Sequence, residues 1–268
     1  MTAEGQPNTA QTGKARTGKA DLHVHTALGD GMAEVQELLD YVESETDLDV
    51  IAITDHDDIG CALAVREAWA KGRYRFEVVA GTEVTTIEGH LLALFVEEPL
   101  PSLRPLEEVV AAVHAQGGLC VVPHPMSWLT RSLGQRAIER VLKSERDGIH
   151  LDGLEVANQS PGARMGLRKA RALNEERFGL AEVGGSDAHF LAAVGTAFTA
   201  FEGRTAAELR RSILERTTAG VDGLHPTLLQ LGIGQVLRQS WRGLTVTPRK
   251  MGWGNTAGSF VKRIFHPR

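Results

Sequence analysis

Two histidines with one residue between them, His23 and His25 in "DLHVHTALGDG", begin the chemistry of this chain. In a strand, alternate side chains share a face, so the two imidazoles point the same way one pleat repeat apart. At that distance they can hold one metal ion as neutral nitrogen donors. The same spacing also describes two half-buried histidines, each bonded to a backbone carbonyl. Further polar outliers follow along the chain: Asp55 and His56 in "ITDHDD", Glu83 in "GTEV", His90 after "TIEG", His124 in "VVPHP", Asn158 in "LEVAN", and Asp187 and His189 in "GGSDAH".

The elements around these residues decide whether they meet. From residue 20 onward, short apolar runs alternate with helical stretches. "ADLHVH", "LDVIAIT", "RFEVVAGTEVT", "HLLALFV", "LCVVPH", "LDGLEVAN" and "LAEVGGSD" read as strands. "AEVQELLDYVESE", "GCALAVREAWAKG", "PLEEVVAAVHAQGG", residues 134–143, "ARMGLRKARALNEERFG" and "TAAELRRSILERTTAG" read as helices. Alternation at this density predicts parallel strands with crossover helices, and about seven such strands around one core predict a closed or nearly closed barrel. In such a barrel the strand C-termini gather on one face, and the polar outliers sit at those ends. His90 is the misfit, standing at the start of its strand; a hairpin through "TIEG" with local antiparallel pairing returns it to the same rim.

Six histidines and three carboxylates, with no thiolate among them, suit zinc, manganese or iron(II) and exceed the needs of one tetrahedral ion. Two or three ions sharing bridging carboxylates would use them all. Closely spaced ions of this kind generate hydroxide at neutral pH and clamp the attacking and leaving oxygens of a phosphate ester. Asp55 is read as supporting a ligand histidine through a hydrogen bond, and Asp57 and Asp58 as solvated or helix-capping. His114 and His150 are read as structural or exposed. Arg131, Asn158 and Arg164 are read as substrate contacts.

In order along the chain, "DLHVHTALGDG", "ITDHDDIG", "GTEV", "VPHP" and "GGSDAH" resemble the PHP (polymerase and histidinol phosphatase) domain family, and more narrowly its stand-alone metal-dependent phosphoesterases. The resemblance covers about residues 20 to 217. It implies a distorted seven-stranded (β/α) barrel with a trinuclear metal cluster at the strand C-termini. It implies His23, His25, Glu83 and Asp187 around a first ion, with Glu83 bridging to a second held by His90 and His124. Asp30, His56 and His189 would hold the third, with Asp30 bent back over the site between Gly29 and Gly31. Glu83, His124 and His189 carry the catalytic roles, and the cofactors are two or three divalent ions (manganese, zinc or iron).

The resulting expectation is a hydrolase of phosphate esters, acting on monoesters, nucleotides or terminal phosphodiesters through a metal-bound hydroxide. One rival is an amidohydrolase barrel, which also opens with His-x-His but usually bridges its metals through a modified lysine; no lysine lies at a predicted strand end. The other rival is a non-catalytic, metal-stabilised interaction domain. A net charge of −5, from 29 basic and 34 acidic residues, gives no global attraction to nucleic acid. No basic-aromatic strip marks an oligonucleotide track, which favours a small phosphorylated substrate over RNA.

Cys61 and Cys120 belong to no paired motif and read as buried free thiols in a reducing, cytoplasmic setting. Residues 1–19 read as a disordered polar tail, residues 20–220 as the barrel, and residues 221–268 as a basic C-terminal extension. Within the extension, Leu229, Ile233, Val236, Leu237 and Leu244 fall at helical spacing with Arg238, Arg242, Arg249 and Lys250 nearby. One reading docks this helix on the barrel with its apolar face inward. The other turns that face to a membrane surface or a partner.

Overall fold

The computed structural model describes residues 17–224 and 226–250. The sequence-read tail therefore lies outside the described residues up to position 16, as do His225 and residues 251–268.

Among the described residues, nine strands form one sheet, in the order β7-β6-β5-β4-β3-β2-β1-β8-β9. They are β1 (Thr17–Val24), β2 (Val50–Ile53), β3 (Glu77–Thr85), β4 (His90–Leu94), β5 (Leu119–Val122), β6 (Gly153–Ala157), β7 (Ala181–Gly184), β8 (Ala197–Glu202) and β9 (Ala219–Asp222). The helices are α1 (Val35–Glu45), α2 (Ile59–Lys71), α3 (Leu106–Ala115), α4 (Gln135–Leu142), α5 (Arg164–Leu173, continued by a π-helical turn over Asn174–Phe178), α6 (Ala206–Leu214), α7 (Leu228–Leu231) and α8 (Ile233–Lys250).

The sheet curls until its two halves meet at β1. The first half of β1 pairs antiparallel with β8, from Thr17↔Glu202 to Ala20↔Thr199. Its far end is bridged by the chain that follows β7: Val24 stands beside Ala188, the His25 N–H donates to the Ala188 carbonyl at 3.0 Å, and the Ala188 N–H donates to the His23 carbonyl at 3.1 Å. This is a nearly closed barrel, with two strands more than the expected seven. The additions are β8, which follows the last metal motif, and β9, which occupies "AGVD", where the sequence pattern had prolonged a helix that in fact stops at Leu214.

Pairing is parallel for β1–β2, β2–β3, β5–β6 and β6–β7, and antiparallel on both sides of β4 and of β8. The hairpin through "TIEG" is present: Thr85 pairs with His90, and the Thr86 N–H donates to the Gly89 carbonyl at 2.9 Å.

Two apolar layers hold the sheet. Ile51, Ile53, Val78, Cys120 and Val122 pack outward against Leu38, Leu39 and Val42 of α1 and Val109, Val110 and Val113 of α3. Ala20, Leu22, Val50, Val79, Leu92, Leu94 and Val121 fill the inside, closed below by Leu209 and Ile213 of α6. Cys61 and Cys120 are both buried, and neither is in a disulfide. Among the described residues, no helix is long and apolar enough to cross a membrane.

Candidate metal centre

Register slips on two strands aim the central residues. The β1–β2 pairing shifts between Asp21 and Val24, a bulge of the kind that re-aims side chains. Ala20 and Leu22 pack in the inner apolar layer, yet beyond the shift His23 and His25 both face the rim. The β6–β7 pairing shifts between Glu155 and Ala157. His124 and Asp187 leave their strands in left-handed backbone, with φ of 28° and 53°, a region non-glycine residues occupy sparsely and chiefly where surrounding structure enforces it.

All nine residues named by the sequence come together. Glu83 is the hub. Its Oε1 lies 2.7 Å from His90 Nδ1 and 2.8 Å from His124 Nε2. Its Oε2 lies 3.1 Å from His23 Nε2 and 3.4 Å from both His25 Nε2 and His56 Nδ1. Asp187 Oδ1 stands 3.4 Å from His25 Nε2 and 3.5 Å from His23 Nε2. Asp30 reaches His189 Nε2 at 3.4 Å and His25 Nδ1 at 3.6 Å. The flanking glycines permit this approach: a Cβ on Gly29 would come 2.2 Å from Asp55 Oδ1, and one on Gly31 would come 2.6 Å from the His25 carbonyl.

These spacings carry chemical information. Two donors each about 2.1 Å from one ion, at a tetrahedral angle, stand about 3.4 Å apart. Several of the contacts cluster at that value rather than at a hydrogen-bond length. Both ring nitrogens of His25, Nδ1 of His56 and His90, and Oδ1 of Asp30 are buried with no hydrogen-bond partner. Leaving such atoms unsatisfied costs about 1–3 kcal/mol each, and a shared cation satisfies them together. The donors fall into four sets able to hold an ion: His25, Asp30, His56 and His189; His23, His124 and Asp187; His23, His25 and Glu83; and His56, Glu83 and His90. His56 thus stands with Glu83 and His90 as well as with Asp30 and His189.

Charge points the same way. Burial would raise the carboxyls of Asp30 and Asp187, but the imidazoles around them, His189 foremost for Asp30 and His23 for Asp187, hold both below the usual carboxylate range. Burial likewise opposes ionisation of Glu83, and His56, His90 and His23 overcome it. Burial disfavours a proton on His25, yet Asp187 and Glu83 lift its pKa to about 10. His56, where burial dominates, falls to about 4. Three anionic carboxylates in so little water require compensating positive charge, which protons on the surrounding imidazoles supply and which a cation in their place would supply equally.

Several supporting roles differ from the sequence reading. Asp55 accepts from the Thr26 N–H at 2.8 Å and the Thr26 hydroxyl at 2.7 Å, fixing the turn after His25 rather than bonding a histidine. Glu155 does what was expected of Asp55. Its Oε1 lies 3.1 Å from His23 Nδ1, and its Oε2 accepts from the His124 N–H at 2.5 Å and the Asn158 amide at 2.9 Å. The only signal for it in sequence is a carboxylate inside the apolar run "LEVA". Asn158, expected to meet substrate, is fully buried; its other amide atom accepts from the Ser160 N–H at 2.9 Å, so it positions Glu155.

Asp21, also unnoticed, accepts from the N–H and hydroxyl of Ser186 and from the Gly195 N–H, and burial raises its carboxyl to about 6. Asp58 caps α2, and Asp57 accepts from the Thr85 N–H and hydroxyl. The Arg131 guanidinium donates to the Thr86 carbonyl at 3.0 Å, bracing the hairpin turn. Arg164 lines a cavity of about 710 Å³ that opens beside Asp187 and His189 and is bounded on its far side by Leu231, Val236 and Gln239 of α7 and α8.

A curled β/α sheet with imidazole and carboxylate donors converging on its C-terminal rim defines a barrel whose rim is able to hold metal ions. Residues 166–218 match the family model PHP_C, described as PHP-associated. An uncharacterised protein of Methanocaldococcus jannaschii is 32% identical over 151 residues, which are 52% of this chain and 81% of the relative. The 5'-3' exoribonuclease Rnm of Salmonella typhimurium is 31% identical over 88 residues, 31% of this chain and 30% of the relative. A solved two-domain protein of Bacteroides vulgatus, containing a predicted PHP-like metal-dependent phosphoesterase, superposes with a TM-score of 0.64 at 19% identity, over 90% of this chain and 75% of that one; this likeness is one of fold. The chain belongs to the PHP domain family.

Proposed function

We propose that this chain is a metal-dependent phosphoesterase, hydrolysing a phosphate ester at two or three divalent ions. His23, His25, Asp30, His56, Glu83, His90, His124, Asp187 and His189 would hold them. The observation that carries this reading is the set of buried, unpartnered imidazole nitrogens spaced from carboxylate oxygens at the distance a shared ion requires. Bound there, manganese, zinc or iron would neutralise phosphate oxygens and bring the pKa of a water down to about 7.

The chain's own residues do the rest. Glu83 presents one oxygen to His90 and His124 and the other to His23, His25 and His56, so it ties the two sides of the centre together. Glu155 holds His23 and the His124 backbone, and Ser132 Oγ, 2.9 Å from His124 Nδ1, fixes that ring's rotation. His189, 18% exposed, stands between the cluster and the cavity, where it would meet a leaving group. Arg164 supplies a guanidinium for an anionic part of the substrate.

The cavity has the volume of a small-ligand site, which favours a small phosphorylated molecule. A nucleotide or the end of a short RNA stays within this reading, given the relative named as an exoribonuclease. A modified-lysine bridge of the amidohydrolase kind finds no support, since the one lysine of the described strands, Lys19, pairs with Asp47 at the opposite end of β1. Two buried cysteines outside any disulfide support a reducing, cytoplasmic setting. The test is elemental analysis of protein purified without chelator, followed by turnover of a phosphometabolite, nucleotide and short-RNA panel. More than one equivalent of metal and hydrolysis of at least one ester are expected. One equivalent or less after saturation with each ion overturns the multinuclear centre.

A further inference from the structure

The C-terminal helix contradicts the expectation that it docks with its apolar face inward. Ile233, Leu237, Trp241 and Leu244 are 63%, 67%, 68% and 74% exposed. Their spacing of four, four and three places them in one stripe on the outer side of α8. The barrel is met through other residues. Leu231 is buried, and the Arg242 guanidinium donates to the carbonyls of Ala27 at 2.6 Å and Gly29 at 2.7 Å, on the loop that carries Asp30. A Cβ added at Gly243 would lie 3.5 Å from Asp30 Oδ2. The inner side of α8 therefore covers the metal-centre loop while its outer side offers four large apolar side chains to solvent.

Charge is segregated along the chain to match. Seven of the 29 lysines and arginines lie after Asp222, and none of the 34 acids does. Arg238 and Arg249 are exposed on α8. The sequence beyond it, outside the described residues, adds Trp253, Phe260 and Phe265 with Lys262, Arg263 and Arg268.

We propose that α8 docks on an anionic lipid surface, with the Ile233–Leu237–Trp241–Leu244 stripe in the interface and Arg238 and Arg249 among the headgroups. A basic helix with an apolar face and a central tryptophan is suited to the boundary between headgroups and acyl chains. Each arginine held near an anionic surface strengthens binding about fivefold at low salt. A second copy of the chain is a poorer occupant, because two α8 helices bring net positive charge together with no acid on either helix to offset it. Docking would set the barrel with its metal rim toward the bilayer, since that rim lies directly beneath α8.

Flotation of full-length protein with vesicles of phosphatidylcholine, with and without phosphatidylglycerol, tests the proposal and needs no turnover, so its outcome is independent of the phosphoesterase reading. Binding to the anionic vesicles alone, weakened at high salt, is expected. The double variant Leu237→Ser, Trp241→Ser should bind at least about tenfold more weakly, while keeping its circular dichroism spectrum and its metal content. Arg238→Glu should bind severalfold more weakly. Failure of the full-length protein to float with anionic vesicles at low salt overturns the proposal. So does flotation unchanged in the double variant, or a dimer in sedimentation that the double variant abolishes, which would assign the stripe to a second copy.

Discussion

At the C-terminal rim of the sheet, His25 is buried with neither ring nitrogen hydrogen-bonded. Where β5 and β6 begin, His114 has both nitrogens satisfied: Nδ1–H donates to the Gly148 carbonyl at 2.7 Å, and Nε2 meets Asp152 Oδ2 at 3.0 Å. Both histidines belong to clusters with a carboxylate, and both clusters contain stacked imidazoles, His25 on His189 and His114 on His150. The difference lies in what the nitrogens face. Around His114 the partners are close enough to bond directly, and Asp152 also accepts from the Cys120 N–H at 2.7 Å, so the group closes on itself. Around His25 the carboxylates stand back at 3.4 Å. His25 and His114 share a residue type, and it is partner distance that leaves the nitrogens of the one open to an ion and those of the other already braced.

The sharpest way to break this contrast is at the hub. Glu83→Gln keeps the side-chain volume and removes the charge that several imidazoles share. Turnover should fall by about a thousandfold, and bound metal should drop by elemental analysis, with the fold retained by circular dichroism. Normal metal content in that variant would place the ions elsewhere.

A smaller loss is expected one layer out. Glu155→Gln weakens the orientation of His23 and His124 without removing a donor that faces an ion, and should cost about 10- to 100-fold in metal affinity or activity, read by competition with a chelator.

Gly29→Ala addresses the loop. Its new Cβ would sit 2.2 Å from Asp55 Oδ1, so the turn bearing Asp30 has to move. Urea unfolding should show a loss of about 1–3 kcal/mol.

The least effect belongs to the brace. Burial pulls the His114 pKa down, but the bonds to Asp152 and to the Gly148 carbonyl outweigh it and raise the value above that of a free histidine. Stability from this pair is therefore fully present below the unfolded-state value and disappears as pH climbs through the raised folded value. His114→Gln should cost about 1 kcal/mol on the acid side, with the gap to the parent protein narrowing as pH rises; a gap constant with pH would disprove the ionic component.

The donors other than Asp30 were legible because their chemistry is rare inside apolar strands and because they stand at or near strand ends, whereas Asp30, in the loop after β1, was named only through the family resemblance. His90 even betrayed the β3–β4 hairpin, since only a reversal could bring it to the rim. Glu155 escaped because one carboxylate in "LEVA" looks like any half-exposed strand residue until the register shift beside Ala157 is known. Strand β9 escaped for the opposite reason: "AGVD" carries no buried alternation, and its four residues are exposed or half-exposed. Strand direction at β8 is not written in periodicity at all. For α8, helical spacing revealed an apolar stripe, but which way a stripe faces depends on partners such as the Ala27 and Gly29 carbonyls that lie more than two hundred residues away.

That dependence on distant chain has a temporal side, visible in how β1 is shared between two seams. Its first half is completed by β8, its far end by the segment after β7, and Asp21 is tied to Ser186 across 165 residues and to Gly195 across 174. A ribosome building this protein from its N-terminus makes His23 and His25 early and Asp187 and His189 late. Non-local pairings of this kind form only after the intervening loop is closed. The nascent chain thus carries seven of the nine proposed donors once His124 is made, and the proposed centre, lacking only Asp187 and His189, would be completed after the chain beyond Gly195 has emerged.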